Sequence, residues 1–124
     1  MKGLIVFIGG GLGALIRYLL YLILPQFSYF PLGTLVANFL GCFLATVVFT
    51  YFFIKSDMNS IYKTLLITGF CGGLSTLSAL SLELMVFIQN GEYIRAFAYT
   101  IVTVIVCTTS VLLGLFLVRH FVEI

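Results

Sequence analysis

The chain has 124 residues, of which 62% are hydrophobic and 8% charged, with a formal net charge of +2. That balance lies far outside the range of a water-soluble domain, and so small a charge, with no basic run, gives no ground for a nucleic-acid partner. The solvent of this chain is lipid, and we read residues 1–124 as a single transmembrane domain in the cell membrane.

A helix needs about 20 apolar residues to cross the hydrocarbon of a bilayer. The charged residues divide the chain into four such lengths, residues 3–24, 32–54, 64–89 and 96–118. The first follows Lys2, carries Arg17 within it and leads into three more spans, so it reads as a permanent helix rather than a cleaved signal. Gly9 and Gly13 form a GxxxG spacing suited to close helix contact. Arg17, about two-thirds of the way along the span, either snorkels to the outer interface or pairs within the bundle.

In the second span Gly33, Ala37, Gly41 and Ala45 recur every four residues and give a smooth contact face. Asn38 lies beside them, and an amide in hydrocarbon must find partners, either on another helix or in water.

The third span holds Gly69-Phe70-Cys71-Gly72-Gly73-Leu74-Ser75-Thr76-Leu77-Ser78-Ala79-Leu80-Ser81-Leu82-Glu83. Two adjacent glycines weaken a helix, and the hydroxyls after them can satisfy backbone groups that a break exposes. We therefore expect the third helix to break near Gly72–Ser75, an interruption tolerated only where it is buried in protein or lines a wet cavity. A break there frees carbonyls able to hold a cation and N–H groups that favour an anion. Past it, Ser75, Ser78 and Ser81 form a hydroxyl track at every third residue, ending near Glu83; this suits an ion path better than helix glue.

In the fourth span Tyr99, Thr103, Cys107, Ser110 and Gly114 share one helical face, the most polar stripe of that span. Its hydroxyls can serve as glue between helices or line a path. Cys42, Cys71 and Cys107 all fall inside spans and form no CxxC pair, so they read as small packing residues. His120, beside Arg119 at the last boundary, reads as an interfacial anchor.

The fold class is thus an all-α membrane protein with four transmembrane helices, joined by short loops into antiparallel neighbours. Outside the spans, Lys2, Lys55, Lys63 and Arg119 fall on one side and Arg95 on the other, which places both termini in the cytoplasm. The chain offers no Ser/His/Asp set, no paired carboxylates and no phosphate loop beside a soluble strand, so no enzyme is expected.

Three motifs stand in the order and spacing of the Fluc (CrcB) fluoride channels: Gly10-Gly11-Leu12-Gly13-Ala14-Leu15-Ile16-Arg17-Tyr18, Gly33-Thr34-Leu35-Val36-Ala37-Asn38-Phe39-Leu40-Gly41, and Gly69 to Glu83. The chain resembles that family over its whole length. The resemblance implies a subunit for passive, fluoride-specific export, built into an antiparallel dimer of the dual-topology type. It also implies two narrow pores at the subunit boundary and a structural sodium ion at the centre, held by the backbone carbonyls of Gly72 and Ser75. Asn38, Leu77, Ser78, Leu80, Ser81, Glu83, Tyr99, Thr103 and Cys107 are the implied pore positions, with Arg17 and Gly73 structural. Amide and hydroxyl donors can replace the water of a small, strongly hydrated anion without a fixed positive charge that would trap it. A negative cell interior then drives the export.

The sequence departs from that family where its third helix commonly reads Thr-Thr-Phe-Ser-Thr-Phe-Ser. Here the run is Ser75-Thr76-Leu77-Ser78-Ala79-Leu80-Ser81, and leucine lacks the electropositive ring edge that phenylalanine offers an anion. Together with the four-to-one charge bias, the two leucines lead us to expect a heterodimer with an oppositely oriented homologous subunit. Two rival readings stand beside it. One is a non-conducting structural subunit; the other is a small four-helix multidrug exporter, which requires a carboxylate deep in the membrane, whereas Glu83 is the only acid in any span.

Overall fold

Helix formation in this chain follows from its solvent: with no water in the bilayer to serve N–H and C=O groups, each span must bond its backbone internally. The computed structural model describes residues 1–25, 29–57 and 60–122, and among these there is no strand. Helix α1 is Lys2–Ile23 and α2 is Leu32–Ile54. The third crossing, Ile61–Gln89, comes in two parts, α3 (residues 61–74) and α4 (Leu77–Gln89). Helix α5 is Tyr93–Val122.

Four crossings of 22, 23, 29 and 30 residues result, each long and apolar enough to span a membrane. The third and fourth begin earlier than the charge-bounded segments, and the fourth also ends later. The reason is that basic residues fold into the end turns instead of stopping them. Lys63 sets its ammonium 5.3 Å from the centre of the Phe49 ring. Arg95 packs on the faces of Tyr29 and Phe87, pairs with Glu92 at 3.0 Å and donates through Nε to the Tyr29 carbonyl. Both keep an aliphatic stem in the protein and a charge near its edge.

The turns have defined chemistry. Ser60 caps α3 by accepting a bond from the Tyr62 N–H. Helix α4 ends with Gly91 at φ +75°, the Gly91 N–H donating to Ile88 O and the Glu92 N–H to Phe87 O. This left-handed closure suits glycine and lets α5 begin at Tyr93. Helix α2 ends on the same pair of bonds, made by Ser56 and Asp57 to Phe53 and Phe52.

The tightest helix contact joins α1 to α3. A Cβ on Gly9 would lie 2.6 Å from the Leu65 carbonyl oxygen and 3.0 Å from the Phe70 nitrogen. These atoms sit five residues apart within a stretch, Thr64–Cys71, that is wound as a wide π-helix. Gly13 abuts the Phe70 carbonyl, and Gly73 abuts the Gly10 carbonyl. The expected GxxxG contact therefore forms, with Gly73 as its counterpart on α3.

Helix α2 packs along α5, while α3 packs on α1 and α2 and α4 packs on α5. The third crossing thus changes neighbours halfway through. The α2 face of Gly33, Ala37 and Gly41 is buried as the sequence pattern predicts. On α5, the inward face carries Tyr99, Thr103, Ser110 and Gly114. Large apolar side chains such as Phe7, Leu22, Ile94, Phe97 and Phe116 are exposed, as befits a surface wetted by lipid.

Helix contact at carbonyl distance has a measurable signature. Gly73→Ala is expected to lower stability in detergent by about 1–3 kcal/mol through overpacking. Gly11→Ala, whose Cβ meets nothing within 4 Å, is expected to raise it by up to about 1 kcal/mol through helix propensity. Thermal unfolding of the two variants side by side checks this, and equal shifts would contradict the assigned contact.

Candidate functional site

Ser75 and Thr76 are extended, at φ −75°, ψ 150° and φ −152°, ψ 120°. The interruption falls at the C-terminal edge of the expected stretch. The Gly72–Gly73 pair is itself helical, with Gly72 at φ −64°, ψ −33°; Gly73 serves the contact with α1, and the two hydroxyl residues make the break.

Several of the backbone groups exposed near the break have specific partners. Cys71 O accepts from both the N–H and the hydroxyl of Ser75, at 3.0 Å each. The Thr76 N–H donates to Asn38 Oδ1 at 2.6 Å, and Asn38 Nδ2 donates to Thr76 O at 3.2 Å. The Thr76 hydroxyl accepts from the Ala79 N–H at 3.2 Å, capping α4, and shares a 3.0 Å bond with Ser78. Asn38 and Thr76 are both buried, at 6% and 7% exposure. Of the two partners open to the Asn38 amide, the structure shows another span, and it is the main chain of that span. Gly41, one turn along α2, makes room: a Cβ there would stand 2.8 Å from Ser75 Cβ.

A cavity of about 380 Å³ opens beside the break. Among its lining residues are Asn38, Ser75, Thr76, Leu77, Leu80, Thr103 and Cys107, so residues from three separate stretches of sequence meet there. Thr103 donates its hydroxyl to Tyr99 O on its own helix, and Ser110 does likewise to Cys107 O.

A second polar cluster lies further along α4. The hydroxyls of Thr34 and Tyr99 donate to the two oxygens of the Glu83 carboxylate, the Tyr99 bond being 2.7 Å. Tyr21 joins them through a 3.1 Å bond to the Thr34 hydroxyl. Tyr99 is fully buried, flanked by Phe30 and Phe87 rings and packed with Leu80 and Ala96. Glu83 and Thr34 line a cavity of about 510 Å³ that reaches Arg95. Leu80 thus touches both clusters and separates them.

The remaining sequence-selected positions fall elsewhere. Leu77 is 75% exposed, and Ser78 and Ser81 are exposed beside it. The Ser81 hydroxyl donates back to Leu77 O at 2.9 Å. Arg17 is half-buried, and among the described residues no hydrogen bond or ion pair holds it. Gly72 is exposed; the N–H that would serve its carbonyl in a continuous helix, that of Thr76, is held by Asn38. Sequence reasoning named Thr76 only as one of the hydroxyls after the glycine pair and gave no role to Thr34 or Tyr21. Thr76 carried a signal, since a threonine three residues before Ala79 is a capping position, and Thr34 lies one turn before Asn38. Tyr21 carried none.

Four apolar crossings, the third interrupted near its middle by extended backbone with polar cavities alongside, define a multi-pass membrane protein of the interrupted-helix class. The profile of the CrcB-like protein family, described as camphor resistance, matches residues 4–115. The "Fluoride-specific ion channel FluC" of Pyrococcus abyssi is 43% identical over 94% of this chain and 95% of its own length. The protein of the same name in Hydrogenobaculum is 42% identical over 94% and 97%, and that of Pyrococcus horikoshii 41% over 94% and 94%. The chain belongs to the CrcB-like family.

The Asn38 clamp yields a direct test. Asn38→Ala leaves the N–H and C=O of a buried residue unpaired and is expected to cost about 2–4 kcal/mol. Thr103→Val removes one bond within a single helix turn and is expected to cost under about 1.5 kcal/mol. Denaturation midpoints of both, with amide exchange at Thr76 accelerated only in the first, are the measurement.

Proposed function

We propose that the chain is one subunit of a fluoride-specific channel, giving passive export that lowers cytoplasmic fluoride. The observation that carries this reading is identity of about 40% along nearly the whole chain to relatives named as fluoride-specific ion channels. The interrupted third crossing supports it. Asn38 Nδ2 has two hydrogens; one bonds Thr76 O, and the other is a donor for an anion in the adjoining cavity. The pore positions are then Asn38, Leu77, Leu80, Thr103 and Cys107 at the break, Glu83 and Tyr99 beyond it, and Ser78 and Ser81 on the outer face of α4.

The functional unit in this reading is a dimer with a homologous subunit of opposite orientation, both termini of this chain being cytoplasmic. Ser78 and Ser81 support a subunit contact, because uncovered they present hydroxyls to hydrocarbon. Leu77 supports a heterodimer: its exposed side chain offers no ring edge, so an oppositely oriented homologue with phenylalanine there supplies what this chain lacks. The structural sodium ion of this reading fits the break. Sodium is a hard cation that takes oxygen ligands, as calcium does. The Gly72 carbonyl is released from the Thr76 N–H, and Ser75 presents its carbonyl from extended backbone.

The two leucines also favour a second reading, a non-conducting subunit that only stabilises its partner. Fluoride efflux from liposomes separates the two. The chain alone is expected to give the background leak, and co-reconstitution with an oppositely oriented homologue at least a tenfold rise over it. Equal flux from the chain alone would overturn the heterodimer. Flux from the mixture that survives removal of every donor on this chain would support the structural subunit.

A further inference from the structure

Glu83 is the only carboxylate inside a span, and among the described residues no ion pair neutralises it. Arg95, the cation on the same cavity, is committed elsewhere, to Glu92 at 3.0 Å and to the Tyr29 carbonyl. A charge held in a membrane protein without a counter-ion must be balanced by hydrogen-bond donors. Thr34 and Tyr99 supply them, one to each oxygen.

The supply of hydrogens fixes the direction of the chain of bonds behind Thr34. A hydroxyl carries one hydrogen and accepts through its oxygen. The Thr34 hydrogen goes to Glu83, so the 3.1 Å bond between Thr34 and Tyr21 has Tyr21 as its donor. Thr34 is fully buried. Tyr21 is seated for this bond: its ring lies against the backbone of α2 at Gly33, where an added Cβ would stand 2.2 Å from Tyr21 Cδ1 and 2.8 Å from Cε1. The missing side chain of Gly33 admits the ring, and the next residue along α2 receives its hydroxyl. Helices α1, α2 and α5 thus converge through hydroxyls on one carboxylate of α4.

We propose that Tyr21 is a positioning residue for Glu83: by donating to Thr34 it commits the single Thr34 hydrogen to the carboxylate, and so holds Glu83 as an acceptor-only anion on the cavity wall. A hydroxyl that accepts a hydrogen bond becomes a stronger donor, so the Tyr21 hydroxyl strengthens a bond made by Thr34. The holding of the carboxylate stands independently of the fluoride reading. Its effect on transport rests on that reading, since an anion reaching this wall takes the place of a carboxylate oxygen on the Thr34 donor, and a weaker donor serves it less well.

The test is infrared spectroscopy of the full chain in liposomes at neutral pH, with the Glu83 band isolated by subtracting the spectrum of Glu83→Gln. Tyr21→Phe keeps the ring in its seat and removes only the donor. It is expected to displace the carboxylate band in the same direction as Thr34→Val, and by less; a ring that serves only for packing would leave the band in place. In the Thr34→Val background, Tyr21→Phe is expected to add nothing, the non-additivity of an effect that passes through one residue. A Tyr21→Phe band coincident with the wild type, a displacement that persists without Thr34, or a protonated-acid band in the wild type each overturns the assignment. In liposomes that conduct, Tyr21→Phe is expected to slow fluoride efflux about threefold, and an unchanged rate overturns the role in transport. Absence of efflux from wild-type liposomes, with or without a partner subunit, speaks against the channel alone and leaves the spectral result standing.

Discussion

The structure depends on how one extended dipeptide is kept at membrane depth. A backbone N–H and C=O without partners cost several kcal/mol in hydrocarbon, and the break at Ser75–Thr76 exposes such groups. The Asn38 amide, matching the main chain of Thr76 with a donor and an acceptor, removes that cost in two bonds. Other features follow from placing this amide. The small face of α2 lets it approach the break, Gly41 admits Ser75, and the polar face of α5 closes the far side of the cavity.

The same constraint orders the division of labour along the third crossing. Before the break, glycines on α1 and α3 bring two backbones into contact, and association rests on close packing. After it, α4 rests on α5 through larger residues, with Leu80, Phe87, Ala96 and Tyr99 forming the core. The polar groups gather where the two modes meet. Further along α4, Glu83 is held by two hydroxyl donors from two different helices, an arrangement that fixes the rotamer of a carboxylate which would otherwise seek water.

Much of this was legible in the sequence, for reasons that differ by feature. The four crossings follow from composition, since an apolar run of 20 residues has few soluble uses. The contact faces follow from spacing: Gly9, Gly13, Gly33, Ala37 and Gly41 mark places where only small residues fit. The break was legible to within a few residues, but its cause was misread. Glycine pairs weaken helices in water, yet Gly72 and Gly73 remain helical here, with α1 packed against Gly73. The partner of Asn38 was not legible, because a one-residue choice between Ser75 and Thr76 depends on the register of α2 against α3. Thr34 and Tyr21 show the same limit: a hydroxyl has many uses, and only a neighbouring carboxylate reveals which one applies.

The change of neighbours midway through the third crossing bears on how the protein meets its bilayer. A straight helix of 29 residues would be about 43 Å long, well beyond the ~30 Å of hydrocarbon, and would have to tilt as one rod. With an extended joint near its middle, the crossing answers to each leaflet separately. The 13 residues of α4, about 20 Å, lean with α5, while α3 leans with α1. Thickening of one leaflet is then absorbed by one half of the crossing and is not levered into the other. The joint insulates the polar centre of the protein from the lipid composition on either side.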